Sequence, residues 1–238
     1  MRIKQAIAAA LLLAFTTPAV AAEFITVAST TSTQNSGLFD FILPQFTHKT
    51  GIDVRVVAVG TGQAIRNAKN GDADVLFVHH RPSEEAFVAE GYGVKRFDVM
   101  MNDFVIVGPK ADPAGAQAQS SAGNALRVIA EKRAPFVSRG DDSGTHKRER
   151  SLWQTPPQGP WYFEAGAGMG ATLNMAQGMG AYTLSDRGTW IAFKNKADLA
   201  IAYEGGAELA NPYGVILVSP KRHPHVKEQS GQAFIDWL

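Results

Sequence analysis

The sequence contains no cysteine in its 238 residues and carries almost no net charge. The missing cysteine excludes disulfide bonds, thiolate metal ligands and a cysteine nucleophile. The formal net charge is only +1, which argues against broad binding to nucleic acid or to membrane surfaces. Any positive potential in this molecule must therefore be local and made by a few groups.

The sequence also lacks the usual signatures of hydrolytic enzymes. It has no Gly-x-Ser-x-Gly elbow, no paired catalytic carboxylates and no metal-binding cluster beyond an isolated His223-Pro224-His225. One enzymatic alternative stays open, a hydrolase or phosphoryl-transfer enzyme that uses Ser143 with His146 or Asp142. A helix-capping role for Ser143 explains the same residues more simply. We therefore expect a protein without catalysis, cofactor or bound metal ion.

Only the N-terminus carries a long apolar run. A basic start is followed by apolar residues 6–15 and by a stretch of small residues that ends at Ala21-Ala22. The run is too short to span a bilayer, and the order of the three parts is typical of a secretory signal peptide. We expect residues 1–22 to be removed and the mature protein, with a net charge of −1, to work in the periplasm.

The rest of the chain alternates short β-prone segments with amphipathic ones, which predicts an α/β protein with mostly parallel sheets. Four turns of small and polar residues each separate a predicted strand from a predicted helix, at 29–36, 60–62, 138–145 and 168–172. In the first of these turns we expect the helix to begin near Ser36. Ligands of such sheets bind beyond the carboxyl ends of the strands, so the four turns are expected to line one cleft.

The turn at 138–145 is the most informative of the four. Helix N-termini present unpaired N–H groups and a partial positive charge, and this one adds hydroxyl groups and the single guanidinium of Arg139. This combination favours a small, fully ionised oxyanion. The alternative is that Ser143 only caps the helix and that Arg139 is an ordinary surface charge.

Six separated motifs resemble, in the same order, those of the periplasmic tungstate-binding proteins of ABC importers. They are Thr30-Thr31-Ser32-Thr33 before Ser36-Gly37-Leu38, the segments 58–64 and 102–109, Ser138 to Thr145 with His146-Lys147, the segment 168–176, and the segment 211–216. The resemblance implies a two-lobed type II periplasmic-binding-protein fold with an interlobe cleft that closes on the anion. It also implies tungstate, with molybdate as a second candidate, and as partners an inner-membrane permease with a cytoplasmic ATPase.

The resemblance further implies the division of the chain and the ligands. The first lobe is expected to comprise residues 23–107 and 205–238, and the second lobe residues 108–204. The chain is expected to act as a monomer, and the helical pattern at Trp237-Leu238 predicts a continuation beyond Leu238. Arg139 is the expected charged contact, and the full set of candidate anion ligands is Thr30, Thr31, Ser32, Thr61, Ser138, Arg139, Ser143, Thr145, Gly170, Ala171 and Thr172.

The identity of the anion depends on Asp141. The segment 139–145 also resembles the phosphate-binding relatives, in which the Asp accepts the proton of hydrogen phosphate, and a phosphate-binding importer component is therefore the main alternative. Tungstate carries no proton near neutral pH, so a carboxylate that faces it would repel it. If Asp141 instead pairs with Arg139 or caps the helix, tungstate is favoured. A sensory or adhesive extracytoplasmic protein that uses the same cleft is a further alternative.

Overall fold

The computed structural model describes residues 23–238, and the predicted signal peptide at 1–22 lies outside them. Among the described residues, no helix has the length and apolarity that a membrane crossing requires. The elements of the first lobe are β1 (Phe24–Thr30), α1 (Thr31–Asn35), α2 (Leu38–Thr50), β2 (Asp53–Val59), α3 (Thr61–Asn70), β3 (Val75–Val78), α4 (Arg81–Ala89), β4 (Gly93–Met101), β10 (Pro212–Val218) and α9 (Glu228–Trp237).

The second lobe is built from a contiguous segment. Its elements are β5 (Phe104–Pro109), α5 (Ala122–Glu131), β6 (Phe136–Ser138), α6 (Gly144–Leu152), β7 (Tyr162–Glu164), α7 (Met169–Met179), β8 (Thr183–Asp186), α8 (Arg187–Ala192) and β9 (Leu199–Tyr203), followed by a short 3-10 turn. Each lobe has its own apolar core: one cluster surrounds the first sheet, and two clusters flank the strands of the second.

The first sheet is mixed, whereas the second lobe has one antiparallel and one parallel sheet. In the first sheet, of order β2-β1-β3-β10-β4, strand β1 pairs in parallel with β2 and β3, whereas β10 runs antiparallel to β3 and β4. In the second lobe β6 and β7 are parallel, whereas β5 is antiparallel to β8 and β9. The α/β two-lobed fold is as predicted. The expectation of mostly parallel sheets is wrong. Among the described strands three pairs are parallel and four are antiparallel, and every antiparallel pair includes β5 or β10, the first strands after the two crossings between the lobes.

The chain changes lobe earlier than the sequence predicts. We expected the first lobe to extend to residue 107, but β5 is the central strand of the second lobe's sheet, between β8 and β9. Its residues 104–108 are buried, because a strand with neighbours on both edges and helices on both faces has little access to water. The forward crossing therefore lies at 102–103. The return crossing lies near 210–211, where Asn102 N–H donates to the Asn211 carbonyl at 3.1 Å.

The first polar turn is also shorter than predicted. The helix expected to begin near Ser36 is α2, which starts at Leu38, but a short helix that the sequence did not predict, α1, precedes it from Thr31. Thr30 is its N-cap and accepts a hydrogen bond from Thr33 N–H, so hydroxyl groups compensate for the missing apolar residues. Gly37 then adopts φ +80°, which ends α1 and starts α2 as a separate helix.

Candidate functional site

Four helix N-termini converge where the two lobes meet. Helices α1 and α3 follow parallel strands of the first lobe, and α6 and α7 follow β6 and β7 of the second. Gly144 N–H, at the start of α6, donates to Thr61 Oγ1 at the start of α3, at 3.1 Å. A Cβ atom placed on Gly168, the N-cap of α7, would lie 3.6 Å from Thr31 Oγ1 of α1. The first N–H groups of a helix have no intrahelical partner, so this junction concentrates free donors.

Arg139 brings the positive charge to this junction. It is only 2% exposed, and its Nη1 donates to Ser32 Oγ of the opposite lobe at 3.4 Å. Its Nε and Nη2 both donate to Asp141 Oδ2, with a distance of 3.1 Å from Nε. The other oxygen, Asp141 Oδ1, accepts from Ser143 N–H at 3.2 Å. Asp141 therefore both pairs with the guanidinium and caps α6, so the pair has no net charge.

Within residues 23–238, two hydroxyl groups at the same junction have no hydrogen-bond partner. Thr31 Oγ1 and Thr145 Oγ1 are buried, and neither makes a hydrogen bond. A buried hydroxyl group without a partner costs about 1–3 kcal/mol, so natural proteins rarely retain one without a reason. These two atoms are therefore the clearest positions for contact with a bound polar group.

The other predicted hydroxyl groups are engaged to different degrees. Thr30 Oγ1 and Thr33 Oγ1 form a hydrogen bond with each other, with 2.8 Å between the two oxygens. Ser143 Oγ caps α6 by accepting from His146 N–H at 3.2 Å. The Ser143 hydroxyl hydrogen stays available to an acceptor, and the same is true of Thr61, which accepts from Gly144. Thr172 Oγ1 instead donates to carbonyl oxygens of the preceding turn. The structure thus brings all the predicted segments together but leaves only some hydroxyl groups free.

In the first turn of α7, backbone N–H groups are better placed than side chains to contact a ligand. Ala171 is exposed, and a Cβ atom on Gly170 would lie 3.6 Å from Asn35 Nδ2 of α1. Both residues lie in the first turn of α7, so their N–H groups lack intrahelical acceptors. Any contact from Gly170 or Ala171 to a ligand would be made through these N–H groups.

Behind Arg139 lies a buried carboxylate that the sequence did not single out. Glu149 is 1% exposed and accepts hydrogen bonds from Ser138 Oγ at 2.6 Å, Tyr162 OH at 2.8 Å and Trp153 Nε1 at 2.9 Å. Burial raises the pKa of Glu149, and the three hydrogen bonds oppose that shift. Because Ser138 Oγ donates to Glu149 and accepts from Gly140 N–H at 3.3 Å, its hydroxyl group secures the loop and is not a free donor.

His79 is a second residue near the junction that sequence reasoning did not place. It directly follows β3, its Nδ1 bonds Asn211 Oδ1 at 2.9 Å, and its ring stacks on Tyr213 with centroids 4.7 Å apart. Burial lowers the pKa of His79 to about 4, so the imidazole is neutral at neutral pH. Its position beside Gly144 makes it a packing residue at the crossing between the lobes. In the sequence, only its position at the end of a predicted strand indicated that His79 lies near the cleft.

The geometry does not support the enzymatic alternative. His146 Nδ1 accepts from Asp142 N–H at 3.1 Å, so this nitrogen is not directed at the Ser143 hydroxyl group as a general base would be. In the loop near the C-terminus, His223 and His225 bond the carbonyl oxygens of Lys69 and Gly71. Within residues 23–238 no group of three potential metal ligands is present.

Comparison with known proteins places this geometry in a family. Residues 16–238 match the model of the PBP superfamily domain. The tungstate-binding protein TupA of Peptoclostridium acidaminophilum is 48% identical over 219 residues, which are 90% of this chain and 77% of the relative.

Two solved structures are also similar. One is the tungstate ABC transporter from Geobacter sulfurreducens, with 51% identity and a TM-score of 0.83 over 90% of this chain and 93% of the other. The other is TupA from Desulfovibrio alaskensis G20, with 45% identity and a TM-score of 0.77 over 91% and 90% of the two chains. The chain therefore belongs to the PBP superfamily and, within it, to the family of the TupA tungstate-binding proteins.

Proposed function

We propose that this protein is an extracytoplasmic solute-binding protein that captures tungstate between its two lobes and delivers it to an ABC-type permease. The observation that carries the proposal is the charge-balanced pair of Arg139 and Asp141 at the junction of four helix N-termini. A tetrahedral dianion in this place would be stabilised mainly by neutral N–H and O–H donors, with one guanidinium oriented by its own carboxylate. The TupA relatives support the choice of anion.

The state of Asp141 favours tungstate over phosphate. Hydrogen phosphate carries a proton near neutral pH and needs an acceptor for it. Both oxygens of Asp141 are already engaged, Oδ2 by Arg139 and Oδ1 by Ser143 N–H. A fully deprotonated oxyanion needs donors only, and this junction supplies donors. Phosphate is therefore the weaker candidate.

Within the predicted ligand set, three side chains and several backbone groups make the main contacts with the anion. Thr31 and Thr145 carry the unpartnered buried hydroxyl groups, and Arg139 supplies the charge. The donor set is completed by those first-turn N–H groups of α1, α3, α6 and α7 that have no protein acceptor, which excludes the N–H groups of Thr33, Gly144 and His146. The other predicted residues act by holding these turns in place, among them Ser138 through Glu149.

Competitive titration calorimetry on residues 23–238 tests the assignment, with tungstate, molybdate, sulfate and phosphate as competing ligands. We expect tungstate to bind most tightly, molybdate to compete with it because the two ions share charge and shape, and phosphate to compete weakly. Phosphate that displaces tungstate at comparable concentration would contradict the assignment. Turnover of a phosphate ester that is lost in Ser143→Ala would instead support the enzymatic alternative.

The cellular setting is part of the same proposal. We propose that residues 1–22 direct export, that the mature protein works as a periplasmic monomer, and that its partners are an inner-membrane permease and its ATPase. Mass spectrometry of the protein from the periplasmic fraction should give a chain that begins at Ala22 or Glu23, and light scattering should give the mass of one chain. An intact N-terminus at Met1, or a cytoplasmic location, would contradict this part.

A further inference from the structure

The start of α8 rests directly against α1 of the opposite lobe, and it shares with the proposed anion site only Ser32. Thr189 Oγ1 donates to the carbonyl oxygen of Ser32 at 3.2 Å, in a buried hydrogen bond that joins the lobes. Next to it, Gly188 N–H donates to Asn102 Oδ1 at 2.9 Å. Asn102 Nδ2 in turn donates to Tyr213 OH of β10 at 3.1 Å. The first contact joins α8 to α1 of the first lobe, and the second joins it through Asn102 to β10.

Gly188 allows this close approach. A Cβ atom at Gly188 would lie 2.9 Å from Ser36 Cβ and 3.2 Å from Asn102 Nδ2. A separation of 2.9 Å between two carbon atoms is well inside the ordinary contact distance of about 3.5–4.0 Å, so one of the elements would have to move. The φ angle of Gly188 is not positive, so its backbone conformation does not require glycine. The contact between the lobes explains the glycine.

Helix α1 connects this contact to the proposed anion site. Its first turn, with Thr31, lies at the junction of the helix N-termini, and its last residues lie under α8. Ser32 is held from the second lobe at two points, its hydroxyl group by Arg139 at 3.4 Å and its carbonyl oxygen by Thr189 at 3.2 Å. Because α1 has only five residues, it cannot separate from α8 without shifting the Thr31 and Ser32 donors as well.

We propose that the contact of Gly188 and Thr189 with α1 is a latch that holds the lobes together, and that it sets the rate at which the bound anion leaves. The identity of the anion rests on the proposed function, whereas the latch itself is a property of the two lobes. Gly188 and Thr189 act here as positioning residues, because they contact α1 and are not among the residues proposed to bind the anion.

Interlobe distance measurements test the latch without reference to the ligand. The chain has no native cysteine, so His48→Cys on α2 and Lys132→Cys after α5, both exposed, provide one unique pair of spin-label sites. We expect Gly188→Ala to shift the label distances towards longer values, both without anion and with excess tungstate. Gly178→Ala is the matched control: it lies in helix α7, and a Cβ atom there meets nothing within 4 Å. Adding Ser36→Gly to Gly188→Ala removes the nearest clash and should restore the short distances.

Stopped-flow fluorescence measures the second consequence, the rate of tungstate release. Thr189→Val keeps the shape of the side chain and removes one neutral buried hydrogen bond, so release should accelerate by about two- to tenfold. This variant also serves if Gly188→Ala does not fold. Unchanged label distances and release rates in the variants would overturn the latch. A wild-type protein that gives no calorimetric signal with tungstate would contradict the proposed function instead, and the ligand-free distances would still decide on the latch.

Discussion

At the scale of single residues, the charge of Arg139 is the feature on which binding depends. We expect Arg139→Gln to weaken tungstate binding by about 100-fold, since a charge-assisted hydrogen bond is lost and Asp141 is left unbalanced beside a dianion. Arg127→Gln is the matched control, because it removes the same charge from an exposed pair with Glu131 on α5. Calorimetry should show unchanged affinity in the control. Equal affinity in both variants would remove Arg139 from the site.

Glu149 gives a pH-dependent prediction at the same scale. Burial raises the pKa of Glu149 above the ordinary value of 4.5, so the folded state binds this proton more tightly than the unfolded state does. The contribution to stability is complete below pH 4.5 and is lost as the pH rises through the raised pKa. Glu149→Gln cannot titrate, so the free energy of unfolding of the wild type, minus that of the variant, should fall across this range.

Urea denaturation at a series of pH values, from the ordinary glutamate pKa towards neutrality, measures this difference. At low pH, where Glu149 is protonated, the variant should be about as stable as the wild type, because the amide group of Gln offers one carbonyl acceptor and one donor, as a protonated carboxyl group does. A difference that does not depend on pH would show that Glu149 titrates normally.

At the scale of elements, we expect some substitutions at the helix N-termini to lower the affinity for the anion without lowering the stability of the fold. Thr31→Val in α1 and Thr145→Val in α6 remove hydroxyl groups that have no hydrogen-bond partner in the part of the chain that the structure describes. Their loss should leave the melting temperature unchanged or raise it, while each lowers the affinity for the anion by about two- to tenfold. Thr183→Val in β8 is the control, because its hydroxyl group is also buried and unpartnered but lies at the start of β8. The control should show the same thermal behaviour with full affinity.

At the scale of the whole molecule, a ligand held between two lobes should stabilise both. Tungstate at about 100 times its dissociation constant adds about 2.7 kcal/mol by mass action. For a chain of this size that corresponds to a rise in melting temperature of about 5–11 °C. Differential scanning calorimetry should show this rise with tungstate and molybdate and a smaller one with phosphate. A larger rise with phosphate would contradict the choice of anion.

Much of this architecture could be predicted from local sequence patterns. Alternating apolar segments indicated the strands, and small polar residues after them indicated helix N-termini, because both signals depend only on neighbours along the chain. The pattern failed at α1, where hydroxyl caps formed a helix without apolar residues. It also failed at β5, whose strand character was clear but whose lobe was not, since sheet membership depends on partners 76 to 97 residues away.

The sequence by itself therefore determined the α/β class, the four anion-suited turns and the one arginine among them. Only the tertiary structure decided which groups are free to act. In the folded protein Asp141 pairs with Arg139, Ser138 donates to Glu149, and Gly188 packs against Ser36. A hydrogen-bond donor can bind a ligand only if no other group of the protein has already satisfied it. Those competing groups come close only when distant segments, and two separate lobes, have packed together.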